Sequence, residues 1–149
     1  MPDTFTCRLV DLDAIFALRW AILRPGFPRE AAEFDGDHDP ATLHAGAFTA
    51  AGDCIGCALA MLNELDARPA YQLRGMATRP DWQRRGVGRA LLAHIQQHIA
   101  EHTPVRQLWC NARVEAVGFY ERQGWRIISD VFEVPTVGPH HRMSIHLPT

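Results

Sequence analysis

The chain opens on the alternation of a half-buried strand. From Thr4 to Val10, Phe5, Cys7 and Leu9 alternate with Thr4, Thr6 and Arg8, so every second side chain shares a face. Asp11 stands where a helix N-cap would. Ile15, Phe16, Trp20 and Ile22 follow at roughly helical spacing, and the pattern predicts a helix from Leu12 to about Leu23. Pro25-Gly26-Phe27-Pro28 stops it. A short second helix is expected over Arg29 to Phe34, within the approach to an acidic loop, EFDGDHDP. Leu43 to Thr49 and Cys54 to Leu62 read as two strands joined by the turn Ala50-Ala51-Gly52-Asp53. Tyr71 to Thr78 is a further strand, ended by Arg79-Pro80.

Gly88 to about Glu101 carries the strongest helical signal. Leu91, Leu92, Ile95 and Ile99 form an apolar stripe, with Gln96, Gln97 and Glu101 outside it. Val105 to Asn111 is strand-like, and Val114 to Gln123 is a short helix ended by Gly124. Trp125 to Phe132 and His141 to His146 are expected as the last strands. The order predicts an α/β, or mixed α+β, fold on one twisted sheet.

Composition narrows the class. At 149 residues, with 47% hydrophobic and 21% charged residues, the chain reads as a single globular domain spanning 1–149. A formal charge of −2 argues against nucleic acid as a partner. All 15 basic residues are arginine, which excludes a Schiff-base lysine and a phosphate-loop lysine together. No basic segment precedes an apolar run at the N-terminus, and no apolar run reaches the ~18 residues of a membrane span. Four cysteines (Cys7, Cys54, Cys57, Cys110) form no disulfide framework, and the expected setting is reducing and cytoplasmic.

The chemistry concentrates in QRRGVGRA, Gln83 to Ala90, between a strand and the start of the strong helix. Free N–H groups converge at a helix N-terminus, the dipole adds positive potential, and Gly86 and Gly88 offer no Cβ to keep an anion away. From Arg74 to Arg89 there are five arginines and one aspartate. A Walker loop requires lysine, and the dinucleotide fingerprint requires a third small residue where Leu91 stands. The pattern Q/R-x-x-G-x-G/A fits Gln83, Gly86 and Gly88.

With this motif and its element order, the chain resembles the GCN5-related N-acetyltransferase (GNAT) superfamily from about Thr4 to His146. The resemblance implies a mixed sheet of about six or seven strands flanked by about four helices, with a splayed strand pair at the cofactor site. It implies that Gln83, Arg84, Arg85, Gly86, Val87, Gly88, Arg89 and Ala90 hold the pyrophosphate of acetyl-CoA. Met76, Ala77 and Thr78 would border its pantetheine, Met76 and Thr78 through their backbones. No metal is implied. A second segment, LWCNARVEAVGFYERQGW, is similar to the family pattern N-x-x-A-x-x-F-Y-x-x-x-G-F at Asn111, Ala116, Phe119, Tyr120 and Gly124, with Trp125 in place of Phe and Val114-Glu115 where a second Asn often stands.

Asn111 and Tyr120 are thereby candidate donor-site residues. Tyr120 can also act as general acid to the leaving CoA thiolate, since a phenol of pKa ~10 is protonated at neutral pH. Direct transfer to a primary amine of a small molecule or peptide needs no nucleophilic cysteine, and Cys110 reads as core. An amine of pKa ~10 must lose a proton first. Glu133, His140 and His141 are the candidate bases, with a water chain as the alternative. Their loop, FEVPTVGPHHRM, is similar at His140 and Met143 to a family stretch E-x-G-I-P-H-x-x-M. The same fold can also serve as a non-catalytic acyl-CoA or partner-binding module. A homodimer through the late strands is common among similar proteins.

Other features carry less. Asp35, Asp37 and Asp39 imitate a calcium loop, but Pro40 and Gly46 occupy its required Gly and acid positions. The stretch reads either as a polar turn or as an acidic rim for a cationic amine. Cys54 and Cys57, at i and i+3 in a strand, are expected on opposite faces as core thiols. His94, His98 and His102 mark a helix edge. Trp20 is expected to pack and Arg19 to snorkel, or both to line the acceptor site.

Overall fold

A computed structural model describes residues 4–149. Its first strand, β1 (Phe5–Val10), leads through a 3-10 turn (Leu12–Ala14) into α1 (Phe16–Leu23) and a second 3-10 turn (Arg29–Ala32). Then come β2 (Leu43–Thr49), β3 (Cys54–Leu65), β4 (Arg68–Thr78), a 3-10 turn (Pro80–Trp82) and α2 (Val87–His102). The chain ends with β5 (Gln107–Arg113), a 3-10 turn (Val114–Ala116), α3 (Val117–Arg122), β6 (Arg126–Ile127), β7 (Phe132–Val134) and β8 (Gly138–His146). The eight strands make one mixed sheet in the order β1-β2-β3-β4-β5-β8-β6, with β7 paired to β8.

The expected fold is present, with three α-helices among the described residues rather than four, because Arg29–Ala32 closes only 3-10 turns. The first predicted helix is also divided. Ile15 adopts φ −120°, and the Asp11 side chain makes no cap hydrogen bond; its carbonyl accepts from Ala14 N instead. The strand expected over Trp125 to Phe132 shrinks to two short pieces, β6 and β7, separated by exposed or half-exposed residues.

Burial explains the layers. The α2 stripe of Leu91, Leu92, Ile95 and Ile99, together with Val87, is almost wholly buried and packs with Ala45, Ala47, Ile55 and Ala58 of the sheet. Leucine and isoleucine side chains of this kind contribute ~1.5–3 kcal/mol each on burial. Gly56 permits the close approach, since a Cβ there would lie 2.5 Å from Val87 Cγ1. A second cluster, Ile15, Phe48, Cys57 and Ala77, lies under α1. Cys54 packs against that same cluster, which overturns the expected opposite faces of Cys54 and Cys57. A bulge is the cause: Gly56 faces Ala47 while Cys54 faces Phe48, so one extra residue of β3 resets the alternation. All four cysteines are free thiols.

One irregularity shapes everything that follows. β4 and β5 run parallel but share register only at Tyr71↔Leu108 and Gln72↔Trp109. Beyond these pairs the strands part. On its other side β4 carries a bulge, because Cys57 faces Ala77 while Leu59 already faces Arg74. The extra residue falls at Gly75-Met76, where Gly75 takes φ +63°, a left-handed value that disfavours side chains. β5 meanwhile stays with β8 as far as Arg113↔His140. The sheet therefore opens between Arg74–Thr78 and Cys110–Arg113. Among the described residues, no helix is long and apolar enough to cross a membrane.

Candidate active site

A cavity of about 910 Å³ lies where β4 ends, α2 begins and α3 passes. Thr78 closes β4, the Pro80–Trp82 turn reverses the chain, and Gln83 returns extended, its side-chain amide donating to Thr78 O at 3.2 Å. Arg84 then takes φ +64° and Gly86 φ +81°. These left-handed residues turn the backbone into α2, with Gly86 as N-cap and no side chain capping the end. The first amides of α2 consequently lack a protein side-chain acceptor, which is the arrangement that favours an anion.

The two glycines have different reasons. A Cβ on Gly86 would meet nothing within 4 Å, so its dihedral demands glycine and the space beside it is open. A Cβ on Gly88 would lie 3.4 Å from Met76 Sδ and 3.6 Å from Phe119 Cζ. Gly88 therefore lets β4, α2 and α3 converge. Arg84, Arg89 and Arg122 line the cavity without any carboxylate among its lining residues.

Most of the expected donor-site residues meet here: Met76, Thr78, Gln83, Arg84, Gly86, Val87, Gly88, Arg89 and Tyr120. Four do not. Ala77 faces the opposite side of β4, in the cluster under α1. Arg85 lies over the Trp82 ring, 5.1 Å from its centroid. Ala90 lines a groove against β1, and its N–H is spent on Gly86 O at 3.0 Å. Asn111 borders the gap between β4 and β5, where its Oδ1 accepts from Arg142 Nε at 3.3 Å. Strand and helix periodicity account for Ala77 and Ala90, since consecutive motif residues cannot all face one ligand.

The gap forms a second cavity of about 250 Å³, and Met76, Ala116 and Tyr120 border both. Tyr120 is 9% exposed, its ring 5.1 Å from Phe119 and 5.2 Å from Trp125. Trp125 is held in turn by its Nε1–H donating to Gln96 Oε1 at 3.1 Å. Burial, with the adjacent Cys110, pushes the Tyr120 phenol well above its ordinary range, and burial pushes the Cys110 thiol up to about 12. Both side chains are neutral near pH 7. A neutral phenol on the border of two cavities can donate a hydrogen bond to charge that develops there.

Of the candidate bases, His140 lines the gap. It is 6% exposed and stacks on Phe132 at 5.9 Å, and its Nδ1 lies 2.9 Å from Gly138 O. A carbonyl can only accept, so Nδ1 is the donor of this contact, and the neutral ring in that tautomer has its lone pair on Nε2. His141 points elsewhere, Nδ1 against Ser129 O at 3.1 Å. Glu133 is exposed on β7, paired with Pro139, and borders neither cavity.

The structure also brings in residues that sequence reasoning missed. Trp82, Arg122 and Gln123 line the larger cavity, the last two at i+3 and i+4 from the motif residue Phe119, a spacing that could have revealed them. Arg24, Phe34, Arg74 and Arg113 line the gap, from elements far apart in the chain. Arg19, expected to snorkel, is instead 1% exposed. Its Nη1 donates to Asp37 Oδ2 at 2.8 Å and to Ala32 O at 3.1 Å. Asp37 is thereby a buried partner rather than part of an acidic rim.

Comparison with known proteins agrees with this geometry. Residues 38–147 match the acetyltransferase (GNAT) domain family. The uncharacterized N-acetyltransferase YitI of Bacillus subtilis is 31% identical over 136 residues, covering 89% of this chain and 90% of YitI. The crystal structure of Escherichia coli ElaA shares the fold at TM-score 0.78 and 16% identity, over 95% of this chain and 99% of ElaA. So does an aminoglycoside 6'-N-acetyltransferase complexed with coenzyme A, at TM-score 0.71 and 13% identity, over 97% and 98% of the two chains. The family match and the extent of likeness to YitI settle the assignment: the chain belongs to the GNAT acetyltransferases.

Proposed function

We propose that the chain moves the acetyl group of acetyl-CoA to a primary amine of a small molecule, peptide or protein by direct attack in a ternary complex. The observation that carries this reading is the sharing of Met76, Ala116 and Tyr120 between the two cavities. The donor would lie along the larger one. Its pyrophosphate would meet the open amides after Gly86 and the Arg84 and Arg89 side chains, and its pantetheine would meet the unpaired edge of β4 near Met76 and Thr78. Acetyl-CoA supplies an activated acyl group as a thioester.

The acceptor amine would enter from the gap. His140, which lines the gap, takes the amine proton on Nε2, directly or through water. The neutral amine attacks the thioester carbonyl, the N–C bond forms, the nitrogen gives its second proton to water, and the C–S bond breaks. Tyr120 donates its hydrogen bond to the departing sulfur. A phenol held above its ordinary pKa favours stabilising the thiolate over full proton transfer, so the proton is completed from solvent. Glu133 has no part in this scheme.

The four free thiols fit a reducing, cytoplasmic setting. Exposed Ile127, Ile128 and Val131 support a homodimer through the late strands.

Calorimetry with acetyl-CoA tests the donor half of the reading, with micromolar affinity expected and no binding in that range overturning it. Release of free CoA with a panel of primary amines tests the transfer. Tight acetyl-CoA binding with no release above hydrolysis would leave a binding module instead.

A further inference from the structure

The smaller cavity has a charge pattern that the acetyl transfer itself does not require. Phe34 stands at its wall, and three guanidinium groups surround that single ring. Arg19 lies 4.3 Å from the centroid, Arg74 4.8 Å and Arg24 5.7 Å. An aromatic face attracts a cation through its quadrupole but carries no net charge, so it cannot neutralise three.

Only Arg19 has a carboxylate. Asp37 Oδ2 holds it at 2.8 Å, and both side chains are nearly fully buried. Among the described residues, neither Arg24 nor Arg74 forms a salt bridge, although both are half-buried. Arg24 spends one N–H on Leu23 O at 2.9 Å. Arg113 adds a third cation, exposed at the rim, and no Asp or Glu lines the cavity. Burial first, then the like charges of Arg19 and Arg24, pull the Arg74 guanidinium below its ordinary value, against the opposing pull of Asp37 and Asp35. Half-buried cations of one sign, converging on an open space, are stabilised by an anion placed in it.

Donor phosphates do not explain this group. The larger cavity carries its own cations, Arg84, Arg89 and Arg122, and none of them lines the smaller one. Nor does the pattern suit a polyamine, whose charge Arg24 and Arg74 would repel.

We propose that the gap receives an amine that also carries a carboxylate, the carboxylate held by Arg24 and Arg74 with Arg113 at the mouth, and the amine directed toward Tyr120. The proposal rests on the reading of the gap as the acceptor side of the acetyltransferase. Guanidinium forks bind carboxylates bidentately, so two of them fix the orientation of the acceptor as well as its affinity.

Three probes of matched length separate the alternatives: 5-aminopentanoate, 5-aminopentanamide and 1,5-diaminopentane. Each offers a primary amine, and only the far end differs. Calorimetry on the CoA-loaded protein should give the carboxylate probe about tenfold tighter binding than the amide, with the diamine weakest. In the double variant Arg24→Gln, Arg74→Gln the preference should collapse to about twofold, while CoA still binds, which shows the fold intact. Stronger binding of the diamine, equal binding of acid and amide, binding of none of the three, or a preference that survives in the double variant would overturn the proposal. If CoA itself fails to bind, the transfer reading falls, and the carboxylate preference is still read on the free protein.

Discussion

Tyr120 and Cys110 meet in the wall of the gap, a phenol beside a thiol, and burial holds both in their neutral forms. The pair is a packed, uncharged surface with one useful hydrogen, the phenolic proton. Tyr120→Phe keeps the ring against Phe119 and Trp125 and removes only that hydrogen. Turnover should fall about 100-fold, while acetyl-CoA affinity changes less than about threefold. Steady-state kinetics beside calorimetry checks the split, and equal losses in both would remove Tyr120 as hydrogen-bond donor to the departing sulfur.

Cys57 shows its burial through pH. Burial first, then the neighbouring Cys54, raises its thiol from an ordinary value of 9.0 to about 12. The folded protein therefore favours the protonated thiol, and this contribution to stability is complete below pH 9. Above it the unfolded chain ionises first, and the contribution is lost as pH rises toward about 12. Denaturant titrations between pH 9 and 12 should show a steep loss of stability that is shallower in Cys57→Ala.

Gly86 and Gly88 should respond differently to the same substitution. Gly86→Ala forces a side chain onto φ +81°, at a cost of ~1–2 kcal/mol, and disturbs the turn that aims the first amides of α2. Acetyl-CoA affinity should fall about tenfold, with a lower melting temperature. Gly88→Ala meets the flexible Met76 thioether at 3.4 Å, so its melting temperature should change less. Thermal melts and calorimetry of the two variants provide the comparison.

Arg19 and Asp37 should be costly to separate and cheap to remove together. Asp37→Asn leaves a buried guanidinium without its counter-charge, and a loss of about 3–5 kcal/mol is expected. Arg19→Met with Asp37→Leu should recover most of that loss. Urea titrations of the single and double variants test it, and additive losses would contradict the buried-pair account.

Local patterns made much of this legible. The α2 stripe and the Gln83 to Gly88 turn lie within a few residues of one another, so spacing alone places their apolar face and their open amides. Features made by distant segments could not be read that way. Arg19 looks like an exposed helix residue until Asp37, 18 residues on, folds back over it. Arg24 reaches the gap from just beyond the end of α1 and Phe34 from the loop before β2, while Arg113 arrives from β5. Single-residue bulges were equally invisible. The extra residue in β3 puts Cys54 and Cys57 on one side, and no periodicity rule announces it. Within the predicted strand from Trp125 to Phe132, adjacent Ile127 and Ile128 break alternation. Both are exposed, so burial gives no force to extend β6.

The bulge at Gly75-Met76 has a kinetic consequence. By parting β4 from β5 it opens the sheet, with α2 and α3 on the larger cavity and the end of α1 with Phe34 on the smaller. On the proposed reading, the two cavities would serve one reaction centre. Neither substrate would then have to leave before the other arrives, and the acetylated amine could depart while CoA is still seated. Initial-rate plots for the two substrates should therefore intersect rather than run parallel. One inserted residue in one strand would set the order in which molecules come and go.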